Sequence, residues 1–169
     1  MNMEHSKEMK SSTGQADNSD KMMGYKKLLL MIVISFIIMY AVMFLNVDKA
    51  NHIFLSTSRT YMALLMSLPM AIIMIAMMSK MYPNKKLNSL IVVGAVILFG
   101  IVLAGLRTQT PVGDIQYMKA MIPHHSSAIM TSKNAEITDP EVKKLSIGII
   151  ESQEREIAQM KSILHRMNK

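Results

Sequence analysis

The chain has 169 residues, half of them hydrophobic, with 20 methionines, four phenylalanines and neither tryptophan nor cysteine. The lack of cysteine excludes disulfides, a zinc–thiolate centre and a thiol nucleophile. The formal net charge of +7 does not point to nucleic acid, because many of the basic residues flank hydrophobic blocks, where membrane topology signals ordinarily sit.

Residues 1–25 are polar and rich in Ser, Asn, Lys and Glu, a composition that predicts a mobile tail. Acidic residues are mixed in and no apolar core comes early, so this stretch does not read as a secretory signal peptide. It holds a loose Met/His run (Met1, Met3, His5 and Met9). The region 26–107 contains three hydrophobic blocks, at about 28–46, 61–79 and 87–106. About 20 apolar residues cross a hydrocarbon core of roughly 30 Å as a helix, so each block predicts a transmembrane helix. Pro69 lies near the middle of the second block and predicts a kink that membrane helices tolerate. In the third, Gly94, Gly100 and Gly105 allow close helix approach. Met62, Met66, Met70, Met74 and Met78 recur every fourth residue of the second block. Such a stripe is more often packing or lipid contact than a path for a soft ion.

Basic residues near the blocks set the expected orientation. Lys21, Lys26, Lys27, Lys80, Lys85 and Lys86 fall on one side, and Lys49, Arg59 and Arg107 on the other. The richer side is expected to be cytoplasmic. The chain then reads as a multi-pass protein of the plasma or inner membrane, with a cytoplasmic N-terminus and an extracytoplasmic C-terminal domain, residues 108–169.

That domain opens with a linker, Thr110 to Asp114, and continues with a helix expected over about 115–133 that Pro123 should kink or divide. Residues 134–140 form a turn. Thr138, Asp139, Pro140 and Glu141 fit either a capping box or Asp139 as the cap with Pro140 in the first helical position. A last helix is expected over about 141–167. The fold class is therefore all-α, with three transmembrane helices and a helical hairpin. Two helices bury little surface, so a four-helix bundle formed by two chains, a homodimer through the C-terminal helices, is an attractive arrangement.

The sharpest cluster is Met118, Met121, His124, His125 and Met130. At helical spacing Met118, Met121 and His125 share a face. Thioether and imidazole together suit copper(I), with silver(I) as a substitute. The alternative is that the methionines are core and the histidines solvated. On the last helix Leu145, Ile149, Gln153, Ile157, Met160 and Leu164 trace an inner face that Gln153 interrupts, with Glu156 beside it. Such polar groups either orient an imidazole or fix the register of a bundle. His52 and His165 are isolated and read as structural.

Met121, Ile122, Pro123, His124 and His125, followed by Ala128 and Met130, then Asp139 to Val142, then Gln153, Glu156, Ile157 and Met160, resemble the domain of unknown function 305 family. The resemblance covers the C-terminal third of the chain. It implies a ferritin-like helical bundle outside the cytoplasm and a link to copper binding and copper tolerance. It carries onto Met121, His124, His125, Met130, Gln153, Glu156 and Met160, to which helical spacing adds Met118. This chain departs from longer members in having one short hairpin, so a full bundle requires a second chain or another partner.

The expected function is that of a membrane-anchored copper(I)-binding protein that buffers the ion, confers tolerance or hands it to a copper-handling partner. The alternative is a small membrane assembly subunit with a structural His pair and no metal. Catalysis is not expected, because the chain has no Glu-x-x-His, Ser-His-Asp, phosphate-loop or zinc-protease pattern. A transporter would need several copies to enclose a path.

Overall fold

The computed structural model describes residues 4–78 and 81–167, with residues 4–22 as backbone only. The Met/His run of the tail, together with Lys21 and Lys80, lies outside the described side chains. Five α-helices follow one another: α1 (Glu4–Val42), α2 (Thr57–Met77), α3 (Lys85–Thr108), α4 (Asp114–Asn134) and α5 (Pro140–Met167). A single 3-10 turn, Ala50–His52, lies between α1 and α2.

Three of these helices are long and apolar enough to cross a membrane, at Met23–Val42, Thr57–Met77 and Lys85–Thr108. They leave large apolar side chains such as Leu29, Ile37, Ile73, Leu90 and Ile101 on the outside, as a hydrocarbon solvent requires. α1 differs from expectation in starting at Glu4 instead of near Lys26. The polar segment has no proline and contains several Lys, Glu and Met, all good helix formers. Once the apolar span has nucleated a helix, extending it towards the N-terminus adds one hydrogen bond per residue without a new nucleus.

α2 packs against both α1 and α3. The reason lies in its buried stripe of Ala63, Ser67, Ala71 and Ile75, residues four apart that are mostly small and let neighbouring backbones approach. At one end Leu28, Ile75 and Tyr82 form a small core with Met74 against it. There the Tyr25 hydroxyl donates to Asn88 Oδ1 at 2.7 Å and the Asn88 amide donates to the Tyr82 carbonyl at 2.7 Å. At the other end, a Cβ added at Gly105 would lie 3.2 Å from the Tyr61 ring, so this glycine admits the tyrosine, while Gly94 and Gly100 face open space.

α4 and α5 form the expected hairpin around Met118, Ile122, Ile129, Ile157 and Leu164. Asp139 caps α5: its Oδ1 accepts from the N–H groups of Glu141 and Val142 at 2.9 and 3.0 Å. Pro140 occupies the first helical position, where its missing N–H costs nothing. Pro123 neither ends nor divides α4, which is continuous around it. An interior proline costs about 3 kcal/mol, but Ile122 and Ile129 on either side of it are fully buried, and burying such apolar side chains at ~1.5–3 kcal/mol each offsets that cost. On α5 the inner face follows the expected line at Ile157, Met160 and Leu164 and departs from it in the first turns. Leu145 is 63% exposed and Ser146 is buried in its place, with Ser146 Oγ donating to the Ser132 carbonyl at 3.2 Å. A serine lets the two helices close together near their turn.

The hairpin does not stand alone. Residues 43–56, between α1 and α2, lie against it, and Phe54 packs on its core. The Asp48 N–H donates to Ser126 Oγ and the Asn46 amide to Ser127 Oγ, both at 2.8 Å. Lys133 Nζ meets Asp48 Oδ2 at 3.2 Å. Part of the cover that a short hairpin needs thus comes from its own chain.

Candidate metal centre

α4 presents its Met and His side chains in two directions. Met118, Ile122, His125 and Ile129 form one buried stripe towards α5. Met121 and His124 instead line a cavity between α4 and the ends of the apolar helices. The expected common face of Met118, Met121 and His125 therefore holds for Met118 and His125 but not for Met121. At about 100° per residue Met121 and Ile122 lie on opposite sides of Met118, and the position of α5 selects Ile122 for the core.

His125 is nearly buried. Its Nδ1 lies 3.2 Å from Oε2 of the half-exposed Glu156, an ion-pair distance. The two groups are not aligned as a hydrogen bond, and Nδ1 has no other partner. Burial pushes the His125 pKa below its ordinary value; Glu156 opposes this and His124 adds to it. The ring is neutral at pH 7, with a lone pair on one nitrogen. A carboxylate facing Nδ1 holds the proton there once aligned, and Nε2 is then the donor nitrogen, the usual way in which an outer carboxylate prepares a metal-binding imidazole. Expected both as a neighbour of Gln153 and as a site residue, Glu156 is thus found beside the histidine ring.

Met160 packs against the core that contains Met118, and these two methionines, with Met167 and Tyr117, line one groove between α4 and α5. Met130 and Gln153 are half-buried and line neither this groove nor the cavity of Met121 and His124. His124 is exposed, with its ring centroid 6.0 Å from that of His125. The expected residues thus divide into a His125–Glu156 pair, a Met118–Met160 pair in the groove between α4 and α5, and a junction pair (Met121 and His124), with Met130 and Gln153 apart.

Among the described residues, no three His, Asp or Glu side chains gather closely enough to hold a metal ion. The donors that do come together are thioethers and imidazoles. This set fits a soft monovalent ion such as copper(I) and fits poorly with calcium, magnesium or a carboxylate-bridged iron pair.

Two features were invisible in the sequence. His52 is buried, with Nδ1 2.8 Å from Ser126 Oγ, although 74 positions separate them. Ser126 is itself fully buried and also accepts from the Asp48 N–H. The methionine stripe of the second block also divides: Met74 joins the small core with Tyr82, while Met62, Met66 and Met78 are exposed, Met62 on the wall of the junction cavity.

Residues 101–167, which take in the end of α3, α4 and α5, match the family described as domain of unknown function (DUF305). The chain is also similar to an uncharacterized protein of Acanthamoeba polyphaga mimivirus, 37% identical over 145 residues that cover 84% of this chain and 93% of that protein. That match is much longer than the family region and so reaches into the apolar helices as well. No solved structure matches the chain. With the Met-x-x-His-His segment on α4, Gln153, Glu156 and Met160 on α5, and a relative similar over most of its length, the chain belongs to the DUF305 family.

Proposed function

We propose that this protein is a membrane-anchored carrier of a soft monovalent ion, copper(I), for which silver(I) substitutes. It buffers the ion, confers tolerance or passes it to a copper-handling partner. The observation that carries this reading is the nearly buried His125 ring with Glu156 Oε2 3.2 Å from its Nδ1. Met118 and Met160 supply thioethers in the adjoining core. The reading is one of binding: the donors near His125 and in the junction cleft are thioether and imidazole groups, which suit holding a soft ion. The distribution of Lys and Arg supports a hairpin on the extracytoplasmic side of the plasma or inner membrane. A reporter fused after Lys169 is expected to read outside the cytoplasm, and a cytoplasmic signal would reverse this orientation.

One observation favours a second reading, a membrane assembly subunit without metal. Val142, Leu145 and Ile147 of α5 are exposed, and a second copy packing there would complete a four-helix bundle. Titration of the full-length protein in detergent with copper(I), under reducing conditions and against a competing chelator, separates the two. The expected result is binding, with the share held by the hairpin lost in His125→Ala. Glu156→Gln should weaken it by about 10–100-fold, as loss of an orienting partner does. A folded protein that takes up no copper(I) would overturn the carrier reading in favour of the assembly subunit.

A further inference from the structure

The cavity that receives Met121 and His124 extends beyond the family region. It has a volume of about 600 Å³, and its walls include Met43, from the turn after α1, and Met62, from the second turn of α2. We propose that Met43 and Met62 join Met121 and His124 in a second soft-metal site at the junction between the apolar helices and the hairpin. The inference rests on the reading that the protein carries such an ion, and it assigns part of that function to residues of the membrane anchor.

Four arguments support the site. The first is chemical. Three thioethers and one imidazole from three separate segments line a single space, and this donor set selects copper(I) or silver(I) over harder ions. The second concerns access. The space is a cleft open to the outside, with Met62 and His124 exposed and Met43 and Met121 half-buried on its wall, so an ion can reach all four donors without unfolding the junction.

The third argument is electrostatic. Arg59 is on the wall, and none of the lining residues is an Asp or Glu. Repulsion by the guanidinium doubles with the charge of the ion. A divalent cation would therefore meet the larger penalty with no carboxylate to offset it, while a monovalent ion held by uncharged sulfur and nitrogen meets the smaller one. The fourth is positional. The Arg59 guanidinium donates to the Met43 carbonyl and lies over the Phe44 ring, 4.4 Å from its centroid. Ser58 donates to Gln109 at 3.0 Å, and the Thr57 N–H to Gln116 at 3.1 Å. These bonds fix the turn after α1, the start of α2 and the start of α4 relative to one another, and the methionines with them. The His124 and His125 rings, 6.0 Å apart between centroids, set this site beside the His125–Glu156 pair.

The test uses the full-length protein in detergent, titrated with silver(I) and with copper(I) against a chelator. The double variant Met43→Leu/Met62→Leu nearly conserves volume and apolarity. It should lose one equivalent of ion or bind about tenfold more weakly, with unchanged helical circular dichroism. Met66→Leu, on the same helix but outside the cavity, should bind like the wild type. Unchanged stoichiometry and affinity in the double variant would overturn the junction site while leaving the carrier reading intact. No binding by the wild type would remove the carrier reading, and the junction site with it. If the double variant does not fold, X-ray absorption of silver(I) bound to the Met118→Leu/Met160→Leu protein decides, because the thioethers of the hairpin are then gone. Two or more sulfur neighbours support the junction site, and nitrogen or oxygen neighbours alone overturn it.

Discussion

His52 and Ser126 show how a single buried contact ties two parts of the chain together. His52 is 6% exposed, and burial lowers its pKa below 6.5. Lys161 and Lys49 add to the shift, and Asp48 and Glu154 oppose it. A histidine whose folded pKa is depressed binds fewer protons folded than unfolded between that value and about 6.5. Stability should then be full above about pH 6.5 and fall as the pH drops through 6.5 towards the folded value. Thermal melts of the full-length protein from pH 7.5 to 5.5 should show this fall, and His52→Asn should reduce its slope; an unchanged slope would assign the effect to other groups. Ser126 accepts from the Asp48 N–H and meets His52 Nδ1, so Ser126→Ala should cost about 1–3 kcal/mol by leaving both without a partner. Chemical denaturation would measure that loss. At this scale the sequence revealed His124, His125 and Glu156, because their types and spacing are unusual. It did not reveal His52, Ser126 or Met43, whose roles come from contacts across long stretches of chain.

Except for α1, which starts at Glu4, the helices were legible nearly to their ends, because several of those ends carry their own chemistry. Ser56 and Asn84 cap α2 and α3 by accepting from the N–H groups of Arg59 and Leu87, and Asp139 caps α5. Asp139→Ala should therefore cost about 1 kcal/mol, read as a lower melting temperature and faster hydrogen exchange in the first turn of α5. Equal stability would mean that Pro140 alone fixes that end. What the sequence did not show was the rotation of each helix. Leu145 or Ser146, and Met121 or Ile122, are neighbouring choices for the same inner face. Hydropathy favours Leu145 in the first pair and Ile122 in the second, where the Met/His spacing pointed to Met121 instead. The close approach of α4 and α5 near their turn favours Ser146, because a leucine there would hold the helices apart.

At the scale of the whole molecule, the expectation that the hairpin needs a partner meets a structure in which residues 43–56 supply part of one. The loop that joins α1 to α2 lies against α4 and α5 and sends Phe54 to their core, and its neighbours Met43 and Met62 border the junction cavity. The anchor is thus continuous with the domain in packing as well as in sequence. The similarity to the mimivirus protein, which reaches beyond the family region, fits such a unit. Phe54→Ala tests the dependence. A fully buried Phe→Ala change costs about 3–5 kcal/mol. Phe54 is only half-buried, so a smaller loss is expected. It should fall on one region: hydrogen exchange should quicken in α4 and α5 and stay unchanged in α1 and α3. If the hairpin instead keeps its protection, its stability is its own and the loop is only a tether. If exchange quickens throughout, the loop is part of a single cooperative fold, and any ion held by the hairpin is held by the anchor as well.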